Sequence, residues 1–211
     1  NFICNVIDNF QEFEFFFEVF HHKKVFIRPK RKSEIVRYIS SVCQNNNFRI
    51  SGDKINEKEL VELAHADPGL FFNAIKNTKK NKYFGFKVFR NHLSFKDIDS
   101  LFIRDKSIFK LILKRNLLDA YASDRIASTI SKYVRAGTSN IQVEFEESHF
   151  LKWLKNTQRY YKTLEDYSRL FPDSFANLTY EEINQFNNND EKICFIADYL
   201  RNCGFDLSLK Q

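Results

Sequence analysis

The sequence predicts an α/β fold with a mostly parallel sheet, on three observations. Short apolar runs of strand length are interleaved with longer stretches whose apolar residues recur at helical spacing. One stretch, Ile108 to Ser123, passes from a strand-like run through a polar corner directly into a helix. And 211 residues with 43% apolar and 28% charged content suit a single domain, residues 1–211, with a sizeable core.

Taken in order, Phe2, Ile3, Val6, Ile7 and Phe10 recur at helical spacing, so the chain opens within a helix. Apolar residues then surround Glu12, Glu14 and Glu18, and the alternation of Phe13, Phe15 and Phe17 reads as a strand ending near Glu18. KKVFIRPKRK, Lys23 to Lys32, holds six basic residues in ten. It reads either as a solvated, mobile loop or as a rim that attracts an anion. Ser33 is expected to cap a helix running to about Gln44, and 45–53 to be a turn-rich connection. Glu57 to Ala66 reads as a helix, and Asp67-Pro68 as a cap with proline at the first helical position of another, to about Thr78. These helices form an insert, about 33–80, before a second strand from Tyr83 to Phe89 that ends at His92. A short helix, Phe95 to Phe102, leads on to the organising stretch.

In that stretch Ile108, Phe109, Leu111, Ile112 and Leu113 make a buried strand, and Lys114, Arg115 and Asn116 the corner. Leu118, Ala122, Ile126, Ile130 and Tyr133/Val134 then mark a helix that Gly137 ends, with Asn116 as its N-cap. Ligands in open α/β sheets bind beyond the carboxyl ends of strands, and helix starts favour anions. A long amphipathic helix from Glu147 to about Leu170, a strand from Ser174 to Thr179 and a helix from Lys192 to Asn202 complete the chain. Trp153, Tyr160 and Tyr161 on the long helix are read as core.

A net charge of +6 favours an anionic partner without separating nucleotide, glycan, nucleic acid and acidic lipid. No apolar run approaches the roughly 20 residues of a membrane span, and no signal-peptide pattern opens the sequence. Cys4, Cys43, Cys194 and Cys203 lack metal-ligand spacing and are expected to be reduced, as in a cytoplasmic protein. The chain starts at Asn1 and has no Met, which suggests a fragment whose native start lies upstream.

Arg115 and Ser123, eight apart on a strand-then-helix within RNLLDAYAS, resemble the segment that holds the ribose 3′-phosphate in sulfotransferases using 3′-phosphoadenosine-5′-phosphosulfate (PAPS). A guanidinium forks onto phosphate oxygens and a hydroxyl donates one further bond. FEVFHH (17–22), GFKVF (85–89), LTYEEI (178–183) and the terminal Lys210-Gln211 pair follow in the order of the bacterial carbohydrate members. The resemblance implies a three-layer, P-loop NTPase-like sandwich lacking its N-terminal 5′-phosphosulfate loop, which would precede Asn1. It implies PAPS as cofactor, with 3′-phosphoadenosine-5′-phosphate (PAP) as product, no metal, and a carbohydrate or small hydroxyl acceptor rather than a nucleic acid. Arg115 and Ser123 would hold the 3′-phosphate, Tyr180 the adenine side of the pocket, and Lys210 the loop over the nucleotide.

Sulfuryl transfer is an in-line displacement that needs positioning, charge stabilisation and a base for the acceptor hydroxyl. Two residues are candidates. Glu18 ends the first strand among Phe15, Phe16, Phe17 and Phe20, and His92 ends the second. Glu181 would cap the following helix or brace a basic residue of the nucleotide pocket. The competing readings are an inactive sulfotransferase-like domain, a basic module binding nucleic acid or glycan, and a P-loop kinase. The last would need an acidic magnesium ligand where the strand ends in Lys114-Arg115 instead.

Overall fold

The computed structural model describes residues 2–42, 56–130 and 141–209. In chain order the elements are α1 (Phe2–Asp8), β1 (Phe13–Phe15), α2 (Pro29–Val42), α3 (Glu57–Ala66), α4 (Pro68–Thr78), β2 (Tyr83–Gly85) and α5 (Phe95–Ile98). After them come β3 (Lys110–Lys114), α6 (Leu117–Ile130), α7 (Glu147–Leu170), β4 (Phe175–Thr179), α8 (Tyr180–Asn184) and α9 (Asn189–Asn202). The α/β class stands, with helix dominant. Among the described residues four strands pair two by two, β1 with β2 and β3 with β4, both pairs parallel. Alternation in the sequence marks which residues are strand, whereas the choice of neighbour is made by packing that pattern alone does not record. Contacts gather into two compact units, Asn1–Phe102 with Ile196–Gln211, and Ile103–Phe195.

In the first unit β1 and β2 run in register from Phe13 opposite Tyr83 to Phe15 opposite Gly85. Backbone bonds carry the ladder further: Phe16 N–H donates to Gly85 O at 2.8 Å, and Lys87 N–H to Phe17 O at 2.7 Å. An aromatic cluster lies in its core. Phe20, Phe71, Phe72, Phe86 and Phe102 meet ring against ring with centroids 5.3 to 5.9 Å apart, largely tilted or edge-on as ring quadrupoles prefer. Asp67 caps α4, accepting from Leu70 N–H at 2.8 Å with Pro68 behind it.

The basic stretch is not simply a solvated loop. Val25 and Ile27 are buried, and α2 begins at Pro29, inside the run. Ser33 therefore lies in the first turns, donating to Pro29 O, and caps nothing. Proline presets the backbone for a helix start, which moves the boundary upstream of the serine. Arg31 is buried at 8% exposure, bonded to both oxygens of Glu14, to Glu34 and to Thr78 O. Arg28 pairs with Asp8 and Lys32 with Glu57.

In the second unit β3 and β4 align from Lys110 opposite Phe175 to Lys114 opposite Thr179. β3 is shorter and less buried than its apolar run suggests: Ile112 alone is buried, and Leu113 is 39% exposed. A strand with one parallel neighbour leaves much of its surface uncovered. Among the described side chains of α6 the buried one is Tyr121, while Leu118 is exposed. Apolar residues lie on two sides of this helix, and the aromatic one wins the interior. Tyr121 packs against Phe145, Phe150 and Trp153, and its hydroxyl bonds His149 Nδ1 at 2.9 Å. The expected connection at 45–53, the helix end at Gly137, Cys43 and Lys210 lie outside the described residues.

Candidate functional site

Of the residues singled out from the sequence, Arg115, Ser123 and Tyr180 belong to the second unit, and Glu18 and His92 to the first.

The corner after β3 is built by strand register. Each pair of partners in β3 and β4 is 65 residues apart, and continuing one step past Lys114 and Thr179 sets Arg115 opposite Tyr180. There the guanidinium carbon stands 5.0 Å from the tyrosine ring centroid in a cation–π contact. One step further, Asn116 N–H donates to Glu181 Oε1 at 2.9 Å, again across 65 residues. That amide, helped by the charge of Arg115, holds the Glu181 carboxyl below the usual carboxylate range. Glu181 thus braces the corner. The helix cap falls to its neighbour, since Thr179 and Glu182 form a reciprocal capping box at the start of α8.

Asn116 Oδ1 accepts from Leu118 N–H at 2.9 Å and Asp119 N–H at 3.2 Å, the N-cap expected of it. The capped α6 carries Ser123 round to the corner, and Arg115 Nη1 donates to Ser123 Oγ at 3.1 Å. Both side chains are exposed. The result is a guanidinium with ring support beneath it, a hydroxyl bonded to it, and the positive end of a 14-residue helix alongside. Chemically this arrangement can hold an anion.

In the first unit Glu18 and His92 come together. His92 Nε2 lies 3.7 Å from Glu18 Oε2, while Lys87 Nζ lies 2.5 Å from Glu18 Oε1. Phe17, just before the glutamate, has φ 56°, the sole non-glycine residue with positive φ among those described. A bulky side chain in that conformation costs about 1–3 kcal/mol and marks an over-determined turn. His92 is 3% exposed. Its Nδ1 accepts the Phe89 N–H at 3.3 Å, which puts the proton of the neutral ring on Nε2, facing the glutamate. Burial pushes its pKa down to about 4, against the opposing pull of Glu18. His21 stacks on His22 and meets His92 edge-on at 5.6 Å. Burial, then the neighbouring His22, lowers its pKa too.

Sequence reasoning missed Lys87. Its signal was present: one lysine inside the otherwise apolar stretch FGFKVF, whose strand β2 ends at Gly85 rather than at the expected Phe89, needs a carboxylate if it is to pack. Among the described residues no group of His, Cys, Asp and Glu side chains is arranged to hold a metal ion, and no helix is long and apolar enough to cross a membrane. No known protein family, curated protein or solved structure matches the chain.

Proposed function

We propose that the chain is a sulfotransferase of P-loop-like α/β fold that moves the sulfuryl group of PAPS to a hydroxyl, with a carbohydrate as acceptor, in the cytoplasm. The observation that carries this reading is the contact between Arg115 and Ser123. Two side chains eight residues apart share one point in space because a strand and a capped helix meet between them. A 3′-phosphate placed there takes N–H donors from the guanidinium and the hydroxyl proton of Ser123. Tyr180, held under Arg115, gives the adenine a flat apolar edge, and Lys210 would close over the nucleotide.

Glu18 is the base in this reading. The one free nitrogen lone pair of neutral His92 is taken by the Phe89 amide, and burial opposes its protonation. A carboxylate can take the acceptor proton without either penalty. Incubating the intact protein with sulfur-labelled PAPS and a panel of glycans and small alcohols tests the activity. Label transfer to a hydroxyl, abolished by Glu18→Gln with PAP affinity intact, is expected. No transfer to any acceptor would overturn the reading.

A second reading, a polyanion-binding module, draws on basic and aromatic residues paired along the second unit. Lys106 stands over Phe171 at 4.8 Å and Lys110 over Phe175 at 4.9 Å. Label transfer separates the two, since the module would bind without turnover.

A further inference from the structure

Lys87 holds the Phe17–Glu18 segment at two points. Its backbone N–H donates to Phe17 O at 2.7 Å, and its ammonium lies 2.5 Å from Glu18 Oε1. The ammonium is steadied from another side by the Phe89 ring, 4.5 Å from the centroid. The Glu18 backbone is tied as well, its carbonyl accepting Phe26 N–H at 3.2 Å. Side-chain exposures of 17% for Glu18 and 24% for Lys87 make this a half-buried pair, less screened than a surface ion pair. The two carboxylate oxygens are therefore unlike. Oε1 is occupied by the ammonium, while Oε2 has His92 Nε2 at 3.7 Å, beyond hydrogen-bond reach.

Resting on the sulfotransferase reading, we propose that Lys87 is the positioning residue of the Glu18 base, fixing the carboxylate through Oε1 so that Oε2 takes the acceptor proton. The step balances. The acceptor O–H bond gives its proton to Oε2, its oxygen forms the new bond to sulfur, and the sulfur–oxygen bond to the 5′-phosphate breaks. That electron pair leaves with PAP, and Glu18 later returns its proton to solvent. Lys87 exchanges no proton. Its contribution is geometric, and a base displaced by about 1 Å loses on the order of 100-fold in rate.

The test uses Lys87→Met and Lys87→Arg in the full chain, assayed for transfer from labelled PAPS and for PAP binding by calorimetry. Lys87→Met should lower kcat by about 100-fold and leave KM for PAPS and PAP affinity unchanged, with Lys87→Arg restoring most of the rate. A substrate-free arm follows acylation of Lys87 by mass spectrometry: Glu18→Gln should make that amine react several-fold faster while other lysines are unaffected. Full kcat in Lys87→Met, a loss confined to KM, or unchanged acylation of Lys87 in Glu18→Gln overturns the assignment. If Lys87→Met does not fold, the arginine rescue and the acylation arm still decide it. An intact wild-type protein that turns over no PAPS overturns the sulfotransferase reading and the base with it. Turnover that survives in Lys87→Met removes Lys87 alone.

Discussion

Replacing Arg115 by alanine should weaken PAP and spare a nucleotide that lacks the 3′-phosphate. This guanidinium bonds Ser123 and lies over Tyr180 on an exposed corner, so its removal takes nothing from the core. A hydrogen bond between charged partners contributes roughly 1.5–3 kcal/mol, and exposure to solvent and salt favours the lower half of that range. PAP should therefore bind about 10- to 50-fold more weakly to Arg115→Ala. Ser123→Ala loses a single neutral donor, about 1 kcal/mol or roughly fivefold. Because the two side chains touch, the double variant should lose less than the two singles together. Calorimetry at fixed ionic strength, with PAP and adenosine 5′-phosphosulfate titrated in parallel, reads all three. Equal losses for both nucleotides would refute the reasoning, as would full PAP affinity in Arg115→Ala with an unchanged melting temperature.

Two further outcomes concern stability. His92 has a pKa lowered from 6.5 to about 4 in the fold, so between those values the unfolded chain binds a proton that the folded chain does not. Stability should fall as pH drops from about 6.5 to 4 and level off below; denaturant titrations at pH 7 and 4.5 should show the wild type losing roughly 2 kcal/mol more than His92→Gln, and parallel losses would refute this. Arg31→Met leaves Glu14 and Glu34 without their buried partner and should cost about 3–5 kcal/mol in denaturant unfolding at pH 7; a cost below about 1 kcal/mol, the surface-pair range, would show the network to be dispensable.

Where chain-local chemistry decides structure, the sequence was legible. Asp67-Pro68 starts a helix by filling an orphan donor and presetting φ, and Asn116 caps α6 for the same kind of reason. The meeting of Arg115 and Ser123 needs only a strand, a corner and two turns of helix, all contiguous. Tyr180 was named without its mechanism, because the partnership with Arg115 comes from a strand register spanning 65 residues, and no local pattern carries that number. Arg31 shows the opposite failure. Six basic residues in ten read as solvated surface, yet one of them finds two carboxylates and a carbonyl inside. Lys87 escaped notice similarly: its partner, Glu18, is 69 residues away, in the segment that follows β1. Long-range pairing of charge with charge is what composition hides.

The shared phase of β3 and β4 makes the grip behave like a vernier scale. Three successive graduations, Lys114 at Thr179, Arg115 at Tyr180 and Asn116 at Glu181, coincide together. One residue inserted within either strand would slide all the marks by about 3.3 Å and invert which side chains face which way. Evolution could lengthen the intervening chain freely and leave the scale aligned, so tolerance to insertion should drop sharply at Lys110 and Phe175, where the graduations begin.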